Sequence, residues 1–523
     1  MDISNNTYHI KIWLLGICLC ALQGVAQNTA SNPLIYADVP DMAIIRVDST
    51  YYMSSTTMHM SPGVPIMKSN NLTNWKLIGY AYDRLVDNDA MNLENGQQTY
   101  GKGSWASSLR FHKGTYYLST FSATSGKTHI YTTRDIENGP WEKHEFAPSY
   151  HDHTLFFEDG KIYMIWGAGE ISIVELEDDL SGVKEDTQQV LIENATKPIG
   201  ASVLLPAEGS QLFKHKGKFY LFNIAWPRNG MRTVIIHRAD RITGPYEGRI
   251  ALQDKGVAQG GLIDTPSGDW YAYLFQDSGA VGRIPYLVPV KWVNDWPVLG
   301  KNGKVPKELN LPKNDSLIPG IVNSDQFERK SGDAMLPLVW QFNHNPNNNL
   351  WSVSERPGYL RLKTGRIDTL LTQAKNTLTQ RTIGPESSGT IKVDVANMRS
   401  GDFAGLAILQ QKFGQIGVSF EGSKKYIFIR KNEGDGTFIS KIELKQDIVY
   451  FKIRCDFKKR TDKAYFYYSL DGKNWQSIGG VLQMQYTLPH FMGYRFGLFN
   501  YATENVGGYV DFDYFKISDK PSY

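Results

Sequence analysis

Five times in the first half of the chain a tight turn leads into a strand carrying a tyrosine, and this repeat limits the fold more than any other feature. The segments "VDSTYYMSS", "HKGTYYLST", "EDGKIYMIW", "HKGKFYLFN" and "PSGDWYAYL" set Tyr52, Tyr117, Tyr163, Tyr220 and Tyr271 in one template. A turn glycine recurs at 114, 160, 217 and 268, with Ser49 in its place in the first copy. The tyrosines are 65, 46, 57 and 51 residues apart, close to the length of a four-stranded propeller blade. A second echo, "NLTNW", "RDIENGPW" and "ADRITGPY", ends at Trp75, Trp141 and Tyr246. The repeat predicts a five-bladed β-propeller; the competing arrangement is two stacked sandwiches whose turns coincide.

The chain has 523 residues, too many for one small core. Past the repeats, residues 302–325 ("NGKVPKELNLPKNDSLIPG" and its flanks) are rich in Pro, Lys and Asn and read as a linker across a domain face. Short alternating strands follow, among them "TIKVDVAN", "KYIFIRKN" and "YVDFDYFKIS", with a hairpin turn at Asp471-Gly472. They predict an antiparallel sandwich. The expected division is residues 1–26 as a leader, 27–315 as propeller and 316–523 as sandwich.

The leader reading rests on "IWLLGICLCALQGVAQ", flanked by Lys11 and followed by Gly24-Val25-Ala26, the charged, apolar and small-residue order of an export signal cleaved after Ala26. The stretch is short of the ~20 apolar residues of a span, so no membrane span is expected once it is removed; a membrane anchor is the alternative, and lipidation at Cys18 or Cys20 stays open. Cleavage would leave Cys455 as the lone cysteine, without an intrachain disulfide, and its run "VYFKIRCDF" reads as core. A net charge of +3 with no basic run gives nothing to track a phosphate backbone, so nucleic acid is not an expected partner. No P-loop, GxSxG, HExxH or dinucleotide fingerprint occurs in a convincing context.

First strands of propeller blades line the axis, so residues at one offset before each repeat tyrosine should converge there. Asp41 and Asp152 lie eleven residues before Tyr52 and Tyr163; Trp105, Glu208 and Gln259 lie twelve before Tyr117, Tyr220 and Tyr271. Any one of these acids alone reads as a turn or cap residue. Together they predict an axial carboxylate cluster, which is what glycosidic hydrolysis requires, since one acid protonates the leaving oxygen while another activates water. Trp105 offers a sugar ring an apolar face.

At this point the chain resembles glycoside hydrolase family 43, in its β-xylosidase and α-L-arabinofuranosidase branch with a C-terminal sandwich. The blocks that carry the likeness include "NPLIYADVPDMAIIRVDSTYYMSS", "GSWASSLRFHKGTYYL", "YHDHTLFFEDGKIYMIWG", "LLPAEGSQLFKHKGKFYLF", "AQGGLIDTPSGDWYAYLFQD", "GAVGRIPYLVPVKW" and "LVWQFNHNP". The resemblance implies an all-β chain, a five-bladed propeller followed by a concanavalin-like jelly-roll sandwich. It implies Asp41 as general base, Glu208 as general acid and Asp152 as the residue that raises the acid's pKa and orients it. An inverting mechanism follows, with base and acid roughly 6.5 to 9.5 Å apart. Arg283 matches an arginine on sugar hydroxyls, Met42 replaces a more usual residue and is expected to line the pocket, and Gln259 stands where many members carry a histidine, which leaves an axial metal in doubt. No cofactor is required for the chemistry. Asp325 and Asp513 match positions where related sandwiches hold a structural Ca2+, with solvated turn acids as the alternative. His151 and His153 flank Asp152; strand alternation is expected to point both away from its face. Phe491 in "HFMGYRF" is the candidate for a sandwich loop reaching the pocket.

The expected function is an exported exo-glycosidase acting on hemicellulose oligosaccharides or polysaccharides. Two readings compete: a carbohydrate-binding propeller without catalysis, and another propeller glycan enzyme such as a phosphorylase, which would need a basic cluster for phosphate. The choice between arabinofuranosyl and xylosyl units, and the oligomeric state, lie beyond the sequence.

Overall fold

Each repeat tyrosine occupies the second strand of a four-stranded antiparallel meander. The computed structural model describes residues 29–200, 202–313, 320–330, 335–432 and 438–521; the expected leader (1–26, with Cys18 and Cys20) and the expected boundary at 315/316 lie outside them. Tyr52, Tyr117, Tyr163 and Tyr220 pair with Ile45, Arg110, Phe156 and Phe213, and Tyr271 with Ile263. The first four registers are identical because each turn has two residues. Lys113-Gly114, Asp159-Gly160 and Lys216-Gly217 all adopt positive φ, which a two-residue type I′ turn demands at both central positions. The fifth hairpin has a longer loop after Asp264, and its pairing shifts by one residue.

Five such sheets stand around an axis. The first strands, Ala43–Val47, Ser107–His112, Thr154–Glu158, Val203–His215 and Ala258–Asp264, form the inner ring, the fifth touching the first. Each blade draws its four strands from one stretch of chain, although in blade one Met60–Ser61 leaves between the second and third strands, so no strand is exchanged to close the ring. Closure comes from the chain ends: Thr29–Ser31 pairs with Glu308–Pro312, and Leu34 and Val39 donate backbone hydrogen bonds to Pro285 and Arg283 of blade five. The segment expected as linker thus begins with a strand that clasps the propeller.

The second unit is a sandwich of an eight-stranded and a seven-stranded antiparallel sheet. One strand of the larger sheet was not expected. Met60–Ser61, from blade one, pairs with Gln341–Asn343 and forms that sheet's outer edge. Side chains reinforce the junction: Gln341 donates to Thr57 Oγ1 at 3.0 Å and to the Pro62 carbonyl at 2.7 Å, and Arg381 donates to the Asp38 carbonyl at 2.9 Å. Beside it, buried Met58, Met60 and Met492 pack with Trp105 and Phe491, so apolar burial adds to the hydrogen bonding at the domain contact. Cys455 is fully buried, and burial pushes its thiol pKa up. No helix among the described residues is long and apolar enough to cross a membrane.

Candidate active site

The near-equal offsets become a place because in four of the five blades irregular backbone lies just before the inner strand or within its first half. Asp41, Asp152 and Gln259 have φ of 52, 46 and 54°, and Gly209, next to Glu208, has 68°. The pairing of Val203–His215 with its neighbour slips on both sides of Glu208, and that of Ala258–Asp264 slips between Ala258 and Gly260. Such bulges re-aim side chains at the ends of strands, and Asp tolerates the left-handed region better than most residues. A narrow axial cavity results, lined by Asp41, Met42, Asp152, Gln211 and Gln259 among others. Gln259 packs so closely on Gly209 that a Cβ there would lie 3.0 Å from its Cγ.

Asp41 is buried, and Arg283 Nη1 donates to both its oxygens, at 2.9 and 2.8 Å. Burial raises the Asp41 pKa and the guanidinium holds it back. The Arg283 side chain lies between Phe275 and Phe491, 5.4 and 4.7 Å from the ring centres, and Phe491 stacks on Trp105 at 5.3 Å. Asp38, three residues before the base position, accepts from the backbone N–H groups of Arg283 and of Gly493 at 2.7 and 3.0 Å. It ties blade five and the sandwich loop to the same strand entry.

Across the axis, donor atoms of His151, Asp152 and Glu208 all lie within 4.8 Å of one another. His151 Nε2 is 3.0 Å from Glu208 Oε2 and 3.9 Å from Asp152 Oδ2. Burial first, then Glu208 and Asp41, push the Asp152 pKa up to about 7, against the pull of His151. For His151 burial opposes the charged form, but hydrogen bonding to Glu208 and the nearby carboxylates outweigh it and raise the pKa to about 9. A histidine and two carboxylates are also ligand types for a divalent cation; here His151 and Glu208 are joined by a hydrogen bond.

Residues 30–297 match the family description "Glycosyl hydrolases family 43", and residues 324–518 match "Beta xylosidase C-terminal Concanavalin A-like domain". The chain belongs to glycosyl hydrolase family 43. A putative beta-xylosidase of Xylanibacter ruminicola is 32% identical, covering 88% of this chain and 84% of its own. A non-reducing end alpha-L-arabinofuranosidase of Bacteroides ovatus is 26% identical over 77% of this chain and 78% of its own. Among solved structures, a bifunctional GH43-CE protein of Bacteroides eggerthii is 64% identical with a TM-score of 0.94; the match covers 95% of this chain, which spans 64% of that one.

Within this family 43 propeller, the structure brings Asp41, Met42, Trp105, Asp152, Glu208, Gln259 and Arg283 to one end of the axis. It does not point His151 away. The strand begins only at Thr154, and Asp152 sits at positive φ, so alternation does not apply and His151 faces Glu208. His153 does turn aside, its Nδ1 2.9 Å from the Tyr150 carbonyl. The two sandwich aspartates are committed to donors of the chain itself. Asp325 accepts from both terminal nitrogens of Arg329 at 2.9 and 2.8 Å, from Trp340 Nε1 at 2.9 Å and from the Phe327 N–H at 2.8 Å; Asp513 accepts from Lys392 Nζ at 2.5 Å. Both Asp325 oxygens are thus engaged by donors of the chain itself, whereas Asp513 is paired with one lysine. Sequence reasoning also missed Arg110, which joins blades two, three and four below the site through Leu155 O, Thr154 Oγ1 and Gln211 Oε1 at 2.8, 2.5 and 2.8 Å. A signal existed: Arg110 occupies the position facing the repeat tyrosine, where the other blades hold Ile45, Phe156, Phe213 and Ile263.

Proposed function

We propose that this family 43 enzyme is an inverting exo-glycosidase that releases terminal α-L-arabinofuranosyl or β-D-xylosyl units from hemicellulose fragments. The observation that carries the reading is the meeting of three buried or half-buried carboxylates, Asp41, Asp152 and Glu208, at the propeller axis. A water held by Asp41 attacks the anomeric carbon and gives its proton to that carboxylate, while Glu208 gives a proton to the departing oxygen. Asp152 sets a second carboxyl beside Glu208, and burial with the neighbouring acids pushes its own pKa up to about 7. Arg283 keeps Asp41 ionised despite its burial. Acid–base chemistry of this kind requires no organic cofactor.

Two features support exo action on a sugar end. Trp105 and Phe491 form a stacked aromatic wall, one from each domain, and the sandwich loop narrows the approach to the axis. The names of the relatives, a putative beta-xylosidase and a non-reducing end alpha-L-arabinofuranosidase, support the same substrate class. Export is part of the proposal, on the residue order of the first 26 positions. Hydrolysis of aryl α-L-arabinofuranoside and aryl β-D-xyloside by the wild type, beside Asp41→Ala and Glu208→Ala, tests it. Release of at least one sugar, with about a hundredfold or greater loss in both variants, is expected. A wild type inert on both aryl glycosides and on arabinoxylan oligosaccharides sinks the enzyme reading; variants with full activity sink the site.

A further inference from the structure

Among the described residues, the hydrogen-bond partner of the Glu208 carboxyl is His151, Nε2 to Oε2 at 3.0 Å. The two differ in access to water: the His151 side chain is 41% exposed, that of Glu208 17%. Around the imidazole stand Asp152, Glu208 and Asp41, with Arg283 beyond Asp41; His153 is the remaining titratable neighbour, neutral and turned to the Tyr150 carbonyl. Phe121 and Trp105 flank the ring at 5.4 and 6.5 Å, so a sugar on the aromatic wall would cover it. A water-exposed imidazole bonded to a shielded acid gives that acid a route to solvent protons.

We propose that His151 is the proton-holding partner of Glu208: in the open pocket the pair keeps one proton on the imidazole, and a sugar that displaces water drives it from Nε2 to Oε2. This rests on the glycosidase reading above. Water stabilises the charge-separated pair, and losing that water favours the neutral pair over two desolvated charges. The acid is then armed only when substrate is present. The balance closes over one turnover. Glu208 gives its proton to the departing oxygen and is left ionised; Asp41 takes one from the attacking water and returns it to solvent. Neutral His151, protonated on Nδ1, takes a solvent proton on Nε2 and restores the starting pair.

The test is kcat/KM from pH 4 to 10 for wild type and His151→Gln, on xylobiose and on an aryl glycoside with an activated leaving group. Without His151 the alkaline limb should move down by about one pH unit or more, since the pair's proton is then held by the carboxyl alone. At pH 8 the variant should lose at least about tenfold more than at pH 5, and more on xylobiose than on the activated substrate, which needs less protonation. A loss equal at every pH and on both substrates means a structural role and overturns the proposal. Independently of activity, 15N NMR of the full chain should show the His151 titration falling by about one unit or more in Glu208→Gln; an unchanged titration overturns it, even if His151→Gln fails to fold. Chelation should leave the rates unchanged, and abolition restored by a divalent ion would make His151 a metal ligand. A wild type inert on every glycoside removes the glycosidase reading, whereas a wild type active with an unmoved limb in His151→Gln removes this proposal alone.

Discussion

Replacing Arg283 by Met keeps the length of the side chain and removes its charge from beside Asp41. The pair is buried on both sides, each side chain 5% exposed, with one guanidinium nitrogen shared between both carboxylate oxygens. Breaking such a pair by removing one partner costs about 3 to 5 kcal/mol if the other charge stays. A carboxylate avoids that cost by taking a proton, so the same energy appears as an upward pKa change. Asp41 is already raised by burial, and Arg283 is what holds it back. The acidic limb of kcat/KM, which reports the base, should therefore move up in Arg283→Met. On the acidic side kcat/KM should fall by about a hundredfold or more, the loss shrinking toward alkaline pH. Stability changes in the same sense. A carboxyl whose folded pKa lies above its unfolded value binds a proton in the fold that the unfolded chain has released, so stability falls as pH rises from near 4 through the folded pKa. The variant extends that window upward, and its Tm should drop more between pH 5 and pH 8 than the wild type's. Rate profiles on aryl glycosides beside thermal melts at the two pH values check both parts. A uniform rate loss with the acidic limb unmoved would refute the electrostatic argument and leave Arg283 a packing residue.

Other outcomes follow from single contacts. Asp152→Asn should gain stability at pH 8 but not at pH 4, because an aspartate raised to about 7 loses stability as pH climbs between its unfolded and folded values; the ceiling is roughly 4 kcal/mol, and the same variant should slow hydrolysis most for poor leaving groups. Phe491→Ala removes the stack on Trp105 and the cover over Arg283, and should raise KM for xylobiose by about tenfold with a smaller effect on aryl glycosides, read from steady-state kinetics. In chain lacking residues 1–26, Cys455 is the lone thiol; being fully buried, it should react with a thiol reagent only after denaturation.

Much of the site could be read before any coordinates because a propeller converts sequence offset into position. The two-residue hairpin turns at Asp48-Ser49, Lys113-Gly114, Asp159-Gly160 and Lys216-Gly217 keep four blades in one register, and Asp41, Asp152 and Glu208 inherit it. What escaped depends on departures from regular strand geometry or on contacts distant in sequence. His151 was misdirected because alternation was applied to residues that precede the strand and pass through positive φ at Asp152. The pairing of Met60–Ser61 with Gln341–Asn343 joins segments some 280 residues apart, and a two-residue strand has no periodicity to detect. Arg283 was placed in the pocket by likeness, yet its bond to Asp41 belongs to a fold that closes blade five against the entry to blade one. The pairing of Asp325 with Arg329 and of Asp513 with Lys392 was likewise outside what the sequence pattern showed.

The account stands or falls on Asp41 acting on water rather than on the sugar. The direct measurement is 1H NMR of the first minutes of wild-type hydrolysis, before mutarotation scrambles the released sugar. An anomer opposite in configuration to the substrate is the predicted product; a first-formed anomer of retained configuration would make a carboxylate the nucleophile and contradict the assignment of Asp41 as base.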